Sequence, residues 1–86
     1  MGERDKVNYL VNIGYGNLVN ADKVVGIISP DAAPVKRLVQ NAKDNGTAYD
    51  ATCGRKTKSV ILLENGNLML SSLLPDTIRL RVNQEE

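Results

Sequence analysis

Histidine, tryptophan and phenylalanine are absent from this chain, and cysteine occurs once, at Cys53. Zinc coordination and nucleophilic systems built on Cys-His or Ser-His pairs therefore cannot be assembled, and one thiol gives no disulfide framework. The acidic residues are scattered and stand mostly beside turns or helix ends, so no pair of carboxylates is set up for acid–base work. An enzyme is not expected, nor a metal, cofactor or small-molecule substrate. Three tyrosines are the whole aromatic complement. The core must then be built from Val, Ile, Leu and Ala, with little room for a deep cavity, and there is little surface on which to stack unpaired bases. A signal-peptide pattern and an apolar run approaching ~20 residues are also missing. With the charged start Gly2-Glu3-Arg4-Asp5-Lys6, this predicts a cytoplasmic protein with no membrane partner.

What is present is an ordinary small-domain composition, 42% hydrophobic over 86 residues. That length predicts a single domain, 1–86, with 1–6 and 83–86 frayed. Such a chain buries only roughly 60% of its unfolded surface, a shortage that self-association relieves.

Val7, Tyr9, Val11 and Ile13 alternate with polar or smaller neighbours and predict a half-buried strand that stops at Gly14-Tyr15-Gly16-Asn17. Two further strand pieces, Leu18-Val19 and Val24-Val25-Gly26-Ile27-Ile28, flank Asn20-Ala21-Asp22-Lys23, which predicts a bulge or tight turn with Lys23 on an exposed bend. One main helix is expected over about 31–45, capped by Ser29 or Asp31 and ended by Asn45-Gly46. Its apolar stripe is Val35, Leu38, Val39 and Ala42, and Lys36 and Arg37 lie on the polar side. A strand over 47–53 follows, then a hairpin turning at Asn65-Gly66 with type I′ geometry. Thr77-Ile78-Arg79-Leu80-Arg81-Val82 alternates and favours a last strand, with Arg79 and Arg81 on one face; a short helical turn after Pro75 is the alternative. The fold class is α+β, a short antiparallel sheet packed on one helix.

Charge is where the sequence departs from the ordinary. The net charge is only +1, yet Cys53-Gly54-Arg55-Lys56-Thr57-Lys58-Ser59 holds three cations in four residues, with no carboxylate from Ala51 to Leu63. Like charges so crowded repel one another, which points to an anionic partner. Gly54 permits a tight turn, Thr57 and Ser59 offer hydroxyls, and Arg55 can fork onto a phosphate where Lys56 and Lys58 act as point charges. Gly14-Tyr15-Gly16 is not a dinucleotide-binding loop, because Val19 stands where the third glycine belongs and no helix follows directly. It is expected to be a strand-to-strand connection. Cys53 is expected to be a small buried residue.

Asn12-Ile13-Gly14-Tyr15-Gly16-Asn17, Pro30-Asp31-Ala32-Ala33-Pro34-Val35-Lys36-Arg37 and Asp50-Ala51-Thr52-Cys53-Gly54-Arg55-Lys56-Thr57-Lys58 together resemble the RemA family of bacterial extracellular-matrix regulators. The likeness runs in order from about Val7 to Thr77. It implies a non-enzymatic, cytoplasmic regulator of biofilm-matrix genes that binds double-stranded DNA and assembles into closed homo-oligomeric rings. By motif position it places DNA contacts on Lys23, Arg55, Lys56 and Lys58, and Lys36 and Arg37 are secondary candidates. The family usually carries arginine where this chain has Lys23, Lys56 and Lys58, and often tyrosine where it has Cys53. Lysine keeps the charge but not the fork, which favours gripping the backbone over reading bases. A ring-forming RNA-binding protein and a purely structural oligomer are the alternatives.

Overall fold

A computed structural model of the protein describes residues 10–82. Val7 and Tyr9 of the expected first strand, and the ends expected to fray, lie outside them.

The sequence folds into β1 (Leu10–Asn12), β2 (Leu18–Asn20), a single 3-10 turn (Ala21–Lys23), β3 (Val24–Ile28), α1 (Ala33–Asp44), β4 (Ala48–Asp50), β5 (Ser59–Leu63), β6 (Leu68–Ser71) and α2 (Pro75–Val82). This is the α+β arrangement expected. β1 and β2 form a two-stranded antiparallel ribbon, and the other strands form a sheet in the order β3-β5-β6-β4. β5 pairs antiparallel with β3 and β6. β4 instead runs parallel to β6, a departure from a purely antiparallel sheet with a simple cause. The helix between β3 and β4 carries the chain back to where β3 began, so β4 must run in the direction of β3.

Alternation along β5 and β6 divides the interior in two. Val60, Leu68 and Leu70 face α1 and bury Ala42, with Val35 and Val39 packed against them. Ile61 faces the other way, into a cluster with Val11, Ile13, Val19, Ala51 and Ile78. The sheet is thus covered by α1 on one face and by the β1–β2 ribbon and α2 on the other. Three positions of the expected helical stripe pack on the sheet; Leu38 is 42% exposed.

Helix ends and turns refine the expectations. α1 is capped at Ala32, whose carbonyl accepts from Val35 and Lys36, with no side-chain cap. The Ser29 hydroxyl and Asp31 instead bond to each other. Asn45 is the C-cap and Gly46 follows at φ +75°, as its sequence demands. At the hairpin, Gly66 has φ +90°, but among the described residues only Tyr15 and Cys53 are non-glycine residues with positive φ, so Asn65 does not complete a type I′ pair. The Gly66 amide donates to Leu63 and the Leu63 amide to Asn67. This is a three-residue loop closed by a left-handed glycine rather than a two-residue turn.

The final segment is a helix, not the favoured strand. Pro75 opens it, Asp76 lies in its first turn, and the Leu74 carbonyl accepts from Thr77 and Ile78. Helical winding points Ile78 and Val82 at the core and leaves Leu80 56% exposed. It also separates Arg79 and Arg81, which would share a face on a strand. Arg79 pairs with Asp76 at 3.4 Å, and Arg81 donates to the Asn12 carbonyl at 2.7 Å, tying α2 to β1.

A candidate nucleic-acid interface at one end of the sheet

Strand directions gather one end of the molecule. β3, β4 and β6 finish there, and β5 and α1 begin there. Two connections meet at this end, residues 14–17 and residues 51–58.

Both are built on the same unusual turn. In the first, the Asn17 amide donates to the Gly14 carbonyl at 3.0 Å across Tyr15 (φ +53°) and Gly16 (φ +77°). In the second, the Arg55 amide donates to the Thr52 carbonyl at 3.0 Å across Cys53 (φ +56°) and Gly54 (φ +82°). Two consecutive positive φ angles inside such a bond define a type I′ turn. Glycine accommodates its half of each pair freely, whereas a residue with a Cβ in the left-handed region costs about 1–2 kcal/mol. Cys53 is accordingly exposed at a turn apex and not buried as expected. Its apolar character is outweighed by its place in the turn.

Short polar side chains fix these turns. The Asp50 carboxylate accepts from the Thr52 amide at 2.9 Å and the Thr52 hydroxyl at 2.6 Å, and Thr52 is only 2% exposed. Bonds from the Thr52 hydroxyl and then its amide hold Asp50 below the usual carboxylate range, with Lys43 adding to the shift and partial burial opposing it. Ser71, fully buried, donates to the Ile13 carbonyl at 2.7 Å and accepts from the Leu73 amide. Ser59 donates to the Leu73 carbonyl, and the Lys58 amide to that of Ser71. Ser59 therefore holds the loop in place and is not free to meet a ligand. Of its companions in this task, Asp50 and Thr52 entered the sequence reading only as part of the family motif, with no structural role, and Ser71 was not singled out. The available signals were the Asp50-Ala51-Thr52 spacing of a self-bonding turn and two serines at inward positions of otherwise aliphatic strands.

Around these supports the side chains of Tyr15, Arg55, Lys56, Lys58 and Ser72 line an open cleft of about 210 Å³. Lys56 and Lys58 also line a second, separate hollow of about 250 Å³ with Thr57, Ser29, Pro30 and Asp31, at the approach to α1. Arg55, Lys56 and Lys58 are exposed and make no ion pair with the described residues. Above Gly54 the space is open, so the backbone of the turn can be approached closely. Lys36 and Arg37 are exposed in the first turns of α1, whose N-terminus lies at this end of the sheet.

Lys23 is not brought to the cleft. It precedes β3 at the opposite end of the sheet, on an exposed bend as expected, and pairs with Glu64 of the β5–β6 loop at 3.4 Å. The length of β5 separates it from the cationic loop, about 13 Å for four strand steps. The pair is more than half exposed on both sides, 58% and 53%, and such surface pairs contribute only about 0–1 kcal/mol.

Among the described residues no group of His, Cys, Asp and Glu could hold a metal ion, and no helix is long and apolar enough to cross a membrane. Fold and site together define a small α+β protein that carries three exposed cations on one loop at the end of its sheet. Residues 10–82 match the model of the RemA-like family, described as extracellular matrix regulatory protein A-like, and the chain belongs to that family. It is 61% identical over 80 residues to a protein of Lachnoclostridium phytofermentans named only for a regulatory role, covering 93% of this chain and 88% of that one. Similarly named proteins of Bacillus cytotoxicus and Bacillus mycoides are 47% identical over 76 residues, covering 88% of this chain and 87% of theirs. The protein is a member of a bacterial regulatory-protein family.

Proposed function

We propose that the protein is a cytoplasmic, ring-forming homo-oligomeric regulator of extracellular-matrix genes that grips double-stranded DNA by its backbone. The observation that carries this reading is the cluster of three cations, Arg55, Lys56 and Lys58, unpaired among the described residues, on a loop whose backbone is tied by the Arg55 amide to Thr52 and by the Lys58 amide to Ser71. Unneutralised charge on a loop tethered at both ends suits phosphate, because less backbone ordering is needed on binding. Lys36 and Arg37 extend the positive surface along α1, and Lys23 adds a contact at the far end. Two lysines beside one arginine favour phosphate over base edges.

The test is a salt titration of duplex DNA binding. The wild-type protein should bind with an affinity that falls steeply as salt rises. The Arg55→Ala/Lys56→Ala double variant should bind at least tenfold more weakly and with a shallower slope, by about 0.9 for each phosphate that a bound protomer no longer neutralises. Unchanged binding by the double variant would sink the reading. Preference for single-stranded RNA in the same titration would move it to an RNA partner.

A further inference from the structure

Tyr15 occupies a position that its own turn does not favour. The first central position of a type I′ turn is best filled by Asn, Asp or Gly, and a bulky side chain with positive φ is an outlier that calls for a reason. Packing supplies none, since Tyr15 is 52% exposed and belongs to neither buried cluster. Nor does bonding, because its hydroxyl pairs with none of the described residues, whereas the Tyr49 hydroxyl donates to Asn17. What Tyr15 does have is a place in the wall of the cleft with Arg55, Lys56 and Lys58.

The support of this turn points the same way. Ser71, at the end of β6, bonds the Ile13 carbonyl just before the turn, while the adjoining backbone receives the Lys58 amide. A Cβ on Gly14 would meet Leu73 and Ser72 at 3.7 and 4.0 Å, so this turn rests on the segment that lines the cleft floor. The two turns are thus locked to one element and keep their spacing. The cleft, at about 210 Å³, is smaller than the ~300–1,000 Å³ typical of small-molecule pockets. It suits a stretch of sugar-phosphate chain held between two walls.

We infer that Tyr15 is a DNA-contact residue, its ring lying against the deoxyribose and its hydroxyl donating to the phosphate that Arg55, Lys56 and Lys58 neutralise. Tyrosine is among the neutral side chains that donate to phosphate oxygens. Strained backbone is retained where function requires a side chain in one place. The DNA-binding end is therefore two turns, one charged and one aromatic. This rests on the DNA-binding reading above, and the experiment separates the two.

Tyr15→Asn and Tyr15→Phe are compared with Lys56→Ala in thermal unfolding and in duplex binding across a salt series. Tyr15→Asn should leave the unfolding midpoint unchanged or raise it by up to about 8 °C, because Asn-Gly is the preferred turn pair. It should weaken binding about fivefold or more without altering the salt slope, since no charge is removed. Lys56→Ala should lower the slope. Tyr15→Phe should lie between Tyr15→Asn and the wild type. Full binding by Tyr15→Asn while Lys56→Ala is impaired would overturn the role of Tyr15 and leave the cationic site standing. A Tyr15→Asn midpoint several degrees below wild type would show that Tyr15 serves the fold and overturn it as well. Loss of effect in every variant would remove the DNA reading itself.

Discussion

At the scale of single residues, the cationic loop is held by groups too short to reach a partner themselves. Ser71 is the clearest case, with one buried hydroxyl serving the Ile13 carbonyl and the Leu73 amide. Ser71→Ala strips both partners at once, and leaving buried polar groups unsatisfied costs about 1–3 kcal/mol. The expected result is a fall in the unfolding midpoint of about 4–8 °C for each kcal/mol of stability removed, read by thermal denaturation. Asp50 supports the other turn and introduces a pH dependence. Its pKa is lowered in the fold, chiefly by the Thr52 hydroxyl and amide, so the unfolded chain takes up the proton more readily. Its stabilising effect is complete above the ordinary carboxylate pKa of ~3.9 and is lost as pH falls through the lowered folded value. Thermal melts of Asp50→Asn should therefore lose less stability than wild type as pH drops below about 4, and equal losses would show that the bonds to Thr52 do not depend on the charge.

At the scale of elements, α2 offers the sharpest test because strand and helix make different demands of the same residues. On a strand Ile78 and Leu80 would share a face and cost alike; on the helix Ile78 is 1% exposed and Leu80 56%. Ile78→Ala should cost about 2–5 kcal/mol and Leu80→Ala within about 0.5 kcal/mol of nothing, measured from denaturant midpoints. The alternation of Thr77 to Val82 is visible in the sequence, and so are Pro75 and Asp76, but local pattern alone does not decide between them. Packing against the cluster around Ile61 does. α1 and the β5–β6 hairpin were legible because each is specified locally, by a stripe at helical spacing with Gly46 behind it and by two apolar runs around Asn65-Gly66. The parallel placement of β4 was less so, since it follows from the crossover of a helix rather than from residues 48–50 themselves. Within the site, the cations were legible as a run of charge. Their partner Tyr15 was not, because it lies 40 residues away from Arg55 in sequence and only the ends of β5 and β6 bring the two turns together.

At the scale of the whole molecule, the fold separates its charges. The loop bearing Arg55, Lys56 and Lys58 stands at one end of the sheet and Lys23 at the other, so the contacts proposed for a protomer divide into one compact cluster and Lys23 apart from it. Three phosphate contacts give a salt slope of only about −2.7, which implies feeble affinity at cellular salt. Repeating the same end around an assembly makes each later contact intramolecular and strengthens binding by roughly 10²–10⁴ where the DNA can follow. A nearly neutral protomer favours this, because copies can approach without large repulsion. The expected native mass is therefore that of several protomers, with a salt slope well steeper than about −2.7. Because Lys23 sits about a strand's length from the cationic loop, Lys23→Ala and Arg55→Ala should weaken binding independently, the double variant showing the product of the two single effects. Native mass spectrometry and the salt series decide this together: a monomer with a slope near about −2.7 would leave the charged loop without the repetition its weakness requires, and the ring would have to be abandoned.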